Sequence, residues 1–134
     1  STSRLDGFLQ GCGQGDLVLQ EECSYRMQDG YRVANDLFAS SRDNRSIFCA
    51  NDMIAYGVHR AAAERGLTAP KDVRIFGFDG SQVSKWIAPW LSTVRVRTDL
   101  YGPAIAEMIV SASKGGINPQ SSIFPFEIVL GSSA

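Results

Sequence analysis

The stretch IFCANDMIAYG, residues 47–57, joins two apolar runs across the polar pair Asn51-Asp52. The first run, SIFCA at 46–50, is short and follows a polar turn, which is typical of a buried β-strand. The second run, 52–66, has apolar residues at helical spacing and ends in a glycine, as helices often do. The stretch therefore predicts a strand that leads directly into a helix.

The same alternation continues in both directions along the chain. Helices are predicted at 1–12, 27–41 and 99–116, with Asp99 as the cap of the last, and strands at 17–23, 73–79, 92–97 and 124–130, with a glycine-rich loop at 11–16. Strands that alternate with helices of this length predict an α/β fold with an open, mostly parallel sheet and helices on both faces. The chain begins on a helix, without the strand that would complete a first βα unit.

Length and composition indicate one globular domain spanning residues 1–134. The formal net charge is −1 and the basic residues form no block, so the sequence predicts no basic patch that would bind nucleic acid. It contains no apolar run that could cross a bilayer and no signal peptide, and we expect no membrane association.

Three cysteines and one histidine have no metal-ligand spacing, so we expect neither a metal nor a cofactor. Unpaired thiols fit a reducing compartment, which favours the cytoplasm. The motifs contain no activated nucleophile, and the sequence does not predict an enzyme.

Polar side chains stand where the predicted strands end, and ligands of open α/β sheets bind outside those ends. Asn51 and Asp52 follow one strand, Asp79 ends another, and a third runs into Ser24 and Tyr25. Amides and carboxylates can hold adjacent hydroxyl groups, and an aromatic ring can cover the apolar side of a sugar. This set of side chains favours a hydroxyl-rich ligand.

Each of these residues also has a purely structural interpretation. Asn51 or Asp52 could be a helix N-cap, and Asp79 could be a turn residue. Tyr25 could be a surface aromatic, and Arg4 a solvated helix residue. The spacing alone leaves these alternatives open.

The residues SIFCANDMIAYGVHRAAAERGLTAPKDVRIFGFDG (46–80), followed by IAPWLSTVRV (87–96), resemble the effector-binding domain of LacI/GalR-type transcriptional repressors. Upstream, RLDGF at 4–8 and Gly30-Tyr31 fit the same pattern. The resemblance implies two α/β lobes of the periplasmic-binding-protein type with an effector between them, and a helix-turn-helix domain that binds DNA. It also implies that this chain is the carboxyl-terminal lobe of a longer repressor, without the first lobe or the DNA-binding domain.

The resemblance also implies site residues. Arg4, Asn51 and Asp79 match family residues that contact the effector, and Tyr25 stands where an aromatic stacks on it. Asp52 is then expected to be only the first residue of its helix. The implied partners are a small polar effector such as a sugar, and DNA through a domain outside this chain.

One departure favours an alternative function. The family usually has a second acid after the aspartate at the strand end, where this chain has Gly80. Glycine at that point is also common in periplasmic sugar-binding proteins of ABC transporters, and these are the alternative.

An expectation about self-association comes from the same resemblance, which places the helix around 99–114 in the first lobe. Its apolar residues Leu100, Ile105, Met108 and Ile109 would then face water here. Exposed apolar patches favour association, so we expect a homodimer or a larger assembly.

Overall fold

The computed structural model describes residues 2–13, 18–40, 45–115 and 123–134. Within these ranges the helices are α1 (Thr2–Gly11), α2 (Met27–Ala39), α3 (Asp52–Glu64), α4 (Ser84–Ile87) and α5 (Tyr101–Ser113), and the strands are β1 (Arg45–Phe48), β2 (Val73–Asp79), β3 (Ser92–Val96) and β4 (Phe126–Val129). A short 3-10 helix, Thr98–Leu100, leads into α5.

One four-stranded sheet with the order β1-β2-β3-β4 organises the described part of the chain. The first three strands are parallel, with Ile47 beside Ile75 and Phe76 beside Ser92. The last strand, β4, runs antiparallel to β3. The predicted α/β fold with an open, mostly parallel sheet is therefore confirmed, and the carboxyl ends of β1 and β2 meet at one edge.

The β1–α3 unit of the opening stretch forms the centre of the core. The buried apolar residues are Ala34, Cys49, Ile54, Ala55, Val58, Ala61, Ala62, Val73, Ile75, Ala88 and Leu91. Helix α2 packs against α3 with the two backbones almost in contact, because glycines face each other at the crossing. A Cβ on Gly57 would lie 2.1 Å from the Met27 carbonyl oxygen, and one on Gly30 would lie 2.6 Å from that of Ile54.

Helix α3 ends just before the predicted glycine, at Glu64 with Arg65 as its C-cap. Gly66 has φ +73°, a left-handed conformation that glycine adopts without steric cost. The Leu67 amide donates to the Ala62 carbonyl and the Gly66 amide to that of Ala63, at 2.9 and 3.0 Å. These two bonds form a Schellman motif, which satisfies the last carbonyls of the helix.

The carboxyl-terminal residues return across the beginnings of β2 and β3. The buried hydroxyl of Ser133 donates to the Ile75 carbonyl at 2.6 Å and accepts from the Ser92 amide at 2.8 Å. The Ser133 amide donates to the Trp90 carbonyl at 2.9 Å. This tail therefore ties together two neighbouring strands of the sheet.

Two local predictions are wrong. Residues 18–23 form no strand, because Glu21 and Glu22 stay exposed and only Cys23 packs against the core, which leaves little burial to order the segment. Asp99 does not cap α5, because both its carboxylate oxygens accept from Arg97, at 2.9 and 2.7 Å. The helix N-cap is Leu100, without a side-chain bond. Of the predicted glycine-rich loop, residues 14–16 lie outside the described ranges.

Helix α5 carries many apolar side chains, yet none of its residues is buried. Ile105, Met108 and Ile109 are 54%, 54% and 64% exposed, and Leu100 is half-buried. In the ranges the structure describes, no helix is long and apolar enough to cross a membrane.

Candidate functional site

Arg4 joins the carboxyl ends of β1 and β2. Its guanidinium donates to the Ala50 carbonyl just beyond β1. It also forms an ion pair with Asp79 at the end of β2, at 3.5 Å between Nη2 and Oδ1, and lies 3.9 Å from the ring centroid of Phe78. Helix α1 thus brings a cation to the edge of the sheet where polar side chains were predicted to meet.

Asn51 is the N-cap of α3. Its Oδ1 accepts from the Ile54 amide at 2.8 Å, and its Nδ2 donates to the Tyr25 backbone carbonyl at 3.2 Å. The side chain therefore holds the segment before α2 against the start of α3. The Tyr25 side chain is about half exposed beside this edge. Of the two adjacent polar residues, Asn51 makes the cap bond.

Asp79 has an unusual backbone and a perturbed carboxyl group. Its φ is +119°, in the left-handed range that favours glycine. Partial burial raises the pKa of Asp79, the Arg4 guanidinium opposes that rise, and the carboxylate of Asp52 adds to it. The carboxyl group remains close to half exposed, so it is available to a ligand.

Asp52 is the first residue of α3, as expected, but its side chain does more than open the helix. The carboxylate is buried and accepts from the Thr93 hydroxyl at 2.7 Å, the Gly80 amide at 2.9 Å and the Ser84 hydroxyl at 3.1 Å. Sequence reasoning missed this role. A glycine inside a predicted strand, Gly77, is a signal of a close approach, and the structure shows that a Cβ there would lie 2.4 Å from Asp52 Oδ1.

Gly80 has a packing reason to be glycine. Its φ is +59°, and a Cβ there would lie 2.6 Å from both Cα and Cβ of Arg95 on β3. An acidic side chain would not fit this turn without moving the Arg95 backbone. The departure from the family pattern is therefore explained by the close approach of Arg95.

His59 and Cys49 have packing roles. The His59 ring stacks on Trp90 with 3.8 Å between centroids, and burial lowers the pKa of that histidine. Burial raises the pKa of Cys49 to about 12, with smaller contributions from Cys23 and Asp52, so its thiol is a small core group. Among the residues that the structure describes, no group of three His, Cys, Asp or Glu could hold a metal ion.

Comparisons with known proteins agree with this architecture. A family model described as a periplasmic binding protein-like domain matches residues 1–134. The HTH-type transcriptional repressor PurR of Actinobacillus pleuropneumoniae serotype 3 is 29% identical over 137 residues, covering 97% of this chain and 41% of the relative. The chain spans about a third of the length of the curated relatives it matches.

Two solved structures share the fold. A regulatory protein of the LacI family from Chloroflexus aggregans aligns with a TM-score of 0.82 and 27% identity, over 98% of this chain and 50% of that one. A LacI family transcriptional regulator from Enterococcus faecalis, solved with bound ribose, aligns with a TM-score of 0.85 and 23% identity, over 98% and 48%. The chain therefore belongs to the periplasmic binding protein-like domain family, in the form found in LacI-type transcriptional regulators.

Proposed function

We propose that this chain is the effector-sensing part of a LacI-type transcriptional repressor and that its effector is a small polar molecule, most suitably a sugar. The observation that carries the proposal is the position of Arg4, whose guanidinium contacts both Ala50 and Asp79 at the joint end of β1 and β2. Asn51 and Tyr25 lie at the same edge.

The chemistry of these groups suits hydroxyl-rich ligands. A carboxylate accepts from two hydroxyls at once, a guanidinium donates to ligand oxygens, and an aromatic face covers apolar C–H groups. The Arg4–Asp79 distance of 3.5 Å is long for a direct hydrogen bond, so both groups keep hydrogen-bonding capacity for a ligand. The ribose bound to the Enterococcus faecalis regulator supports the sugar class.

The effector would act by differential affinity. A ligand that binds one arrangement of the repressor more tightly than another shifts the population towards that arrangement. DNA binding, carried by a domain outside this chain, would change by the same coupling free energy.

The alternative function, a periplasmic transport receptor, was suggested by the glycine at position 80. The close approach of Arg95 accounts for that glycine without any transport function. We therefore keep the repressor as the proposal.

A ligand screen with site variants tests it. D-Ribose, other monosaccharides, nucleosides and sugar phosphates are compared by thermal shift, where a ligand at 100 times its Kd adds about 2.7 kcal/mol of stability.

Asp79→Asn removes a charged acceptor and is expected to weaken binding by about tenfold to a hundredfold, corresponding to roughly 1.5–3 kcal/mol. Asn51→Ser keeps a good N-cap but removes the amide group that holds the Tyr25 carbonyl at this edge, and is also expected to weaken binding.

The matched control is Asp36→Asn, which removes an exposed carboxylate on α2, away from the sheet edge. It is expected to leave binding unchanged. Full affinity in both Asp79→Asn and Asn51→Ser would contradict the site. A response to nucleosides alone would contradict the sugar class.

We also propose that an apolar patch, formed by Leu100 just before α5 and by Ile105, Met108 and Ile109 on α5, mediates self-association. The last three side chains are all more than half exposed. Ile109→Lys is expected to lower the mass measured by light scattering towards that of the monomer, because a charge in an apolar contact costs desolvation. Glu107→Lys is the control, because helical spacing puts Glu107 on the side of α5 away from Ile105 and Ile109. A wild-type monomer at high concentration would contradict the proposal.

A further inference from the structure

The backbone of Asp79 has an unfavourable conformation that neighbouring groups must stabilise. A residue with a side chain adopts a φ of +119° only at an energetic cost, and such conformations persist where the surroundings fix them. The direction of the Asp79 carboxylate depends on this φ, because the side chain leaves the chain at the same Cα. The sheet holds the peptide before Asp79, so the groups that hold the peptide after it fix the backbone angles of Asp79 and with them the direction of its Cα–Cβ bond.

Asp52 holds that following peptide. The Gly80 amide, which belongs to the Asp79–Gly80 peptide unit, donates to Asp52 Oδ2 at 2.9 Å. On the other side, the Gly80 carbonyl accepts from Arg95 Nε at 3.3 Å. Gly80 is thus held on both sides, and its amide is bound by a buried charged acceptor, which makes the stronger kind of hydrogen bond.

A second set of bonds fixes Asp52 itself. Ser84 has a single hydroxyl proton and lies 3.1 Å from Asp52 Oδ2, an acceptor, so it donates that proton there. The Tyr56 hydroxyl at 2.7 Å and the Ser81 hydroxyl at 2.8 Å must then donate to Ser84. The network has one direction of donation, and it links α3 to the loop after β2.

The other carboxylate oxygen is anchored separately. Asp52 Oδ1 accepts from Thr93 on β3 at 2.7 Å. This bond attaches Asp52 to the sheet but does not touch the Asp79–Gly80 peptide. The two carboxylate oxygens therefore bind different groups, and Thr93→Val can serve as a control that removes only the bond to Oδ1.

We infer that Asp52 is a positioning residue, which sets the direction of the Asp79 carboxylate at the effector site through the Gly80 amide. The inference deepens the proposed function and rests on it for its consequence in binding. Its structural part, the control of the Asp79 backbone, can be measured without any ligand.

The test compares three variants of this chain by NMR. The three-bond coupling between the amide and α protons of Asp79 is small at its observed φ and large for extended residues with negative φ. Asp52→Ala is expected to raise that coupling, because the Gly80 amide loses its acceptor. Asp52→Asn is expected to keep it small, because the amide oxygen can face Gly80 and Ser84 while the NH2 group faces the Thr93 oxygen. Thr93→Val is expected to lower stability without changing the coupling.

Binding supplies the second readout, with D-ribose as the probe. Asp52→Ala is expected to weaken D-ribose binding at least tenfold, which matches the free energy of a hydrogen bond to a charged group. Asp52→Asn and Thr93→Val are each expected to change the affinity less than threefold. In an Asp79→Ala background, Asp52→Ala is expected to cause no further loss, since the two residues act in series. An additive loss would overturn the inference.

If Asp52→Ala does not fold, the Gly80 amide proton shift of Asp52→Asn serves as the test. A neutral acceptor in place of the carboxylate must move the Gly80 amide proton upfield, and an unmoved resonance would overturn the inference. If wild-type protein binds no D-ribose, the ligand proposal fails, while the Asp79 coupling and the Gly80 shift still confirm or overturn the role of Asp52.

Discussion

Replacing Gly57 with alanine is expected to lower the stability of this protein more than any other substitution considered for it. The new Cβ would lie 2.1 Å from the Met27 carbonyl oxygen and 2.5 Å from the Tyr31 amide nitrogen. Both are backbone atoms of α2, so no side-chain rotation can relieve the clash and the two helices must separate. Overpacking a core typically costs about 1–3 kcal/mol and sometimes more, against a total stability of about 5–15 kcal/mol.

The measurement is urea unfolding followed by circular dichroism, and the expected loss is about 3 kcal/mol or more, at the upper end of that range. Gly7→Ala is the matched control, because a Cβ at Gly7 in α1 meets nothing within 4 Å. It is expected to stabilise the protein by up to about 1 kcal/mol, since alanine favours helix more than glycine does. Equal effects of the two substitutions would show that the helix crossing is not as close as described.

Replacing Ser133 with alanine is expected to have the second largest effect. The change removes the acceptor of the Ser92 amide and the donor to the Ile75 carbonyl, at a site that is 1% exposed. A buried polar group left without a partner costs about 1–3 kcal/mol, so two such groups should cost roughly 2–5 kcal/mol. Unfolding in urea measures the loss directly.

The adjacent Ser132 provides the control, since it has the same side chain and is exposed. Ser132→Ala is expected to change the free energy of unfolding by less than about 0.5 kcal/mol, as exposed substitutions usually do. A Ser133→Ala variant as stable as Ser132→Ala would mean that water replaces the lost hydroxyl.

The local signals of the sequence predicted the framework of the fold. The apolar run before Asn51, the helical spacing after it and Gly66 depend only on neighbouring residues, and each is confirmed. The strand predicted at 17–23 is wrong for residues 18–23, which the structure describes, because strand formation needs a partner and burial, and β-propensity supplies neither.

The division of roles between Asn51 and Asp52 could not be predicted for a related reason. Either residue type can cap a helix, so the pair alone leaves the choice open. The choice follows from Gly80 and Thr93, which are distant in sequence and hold the Asp52 carboxylate away from the helix amides. Arg4 was found only through the family resemblance, and its contact with Asp79 joins residues that are far apart in the chain.

The bonds of the carboxyl-terminal tail have a consequence for folding during synthesis. Strands β2 and β3 need Ser133 to complete hydrogen bonds at their beginnings. Translation proceeds at about 5–20 residues per second, and residue 133 emerges from the ribosome long after both strands do. The sheet is therefore expected to remain open to proteolysis until residue 133 has emerged, so that nascent chains arrested before that point should be cleaved faster than nascent chains arrested after it.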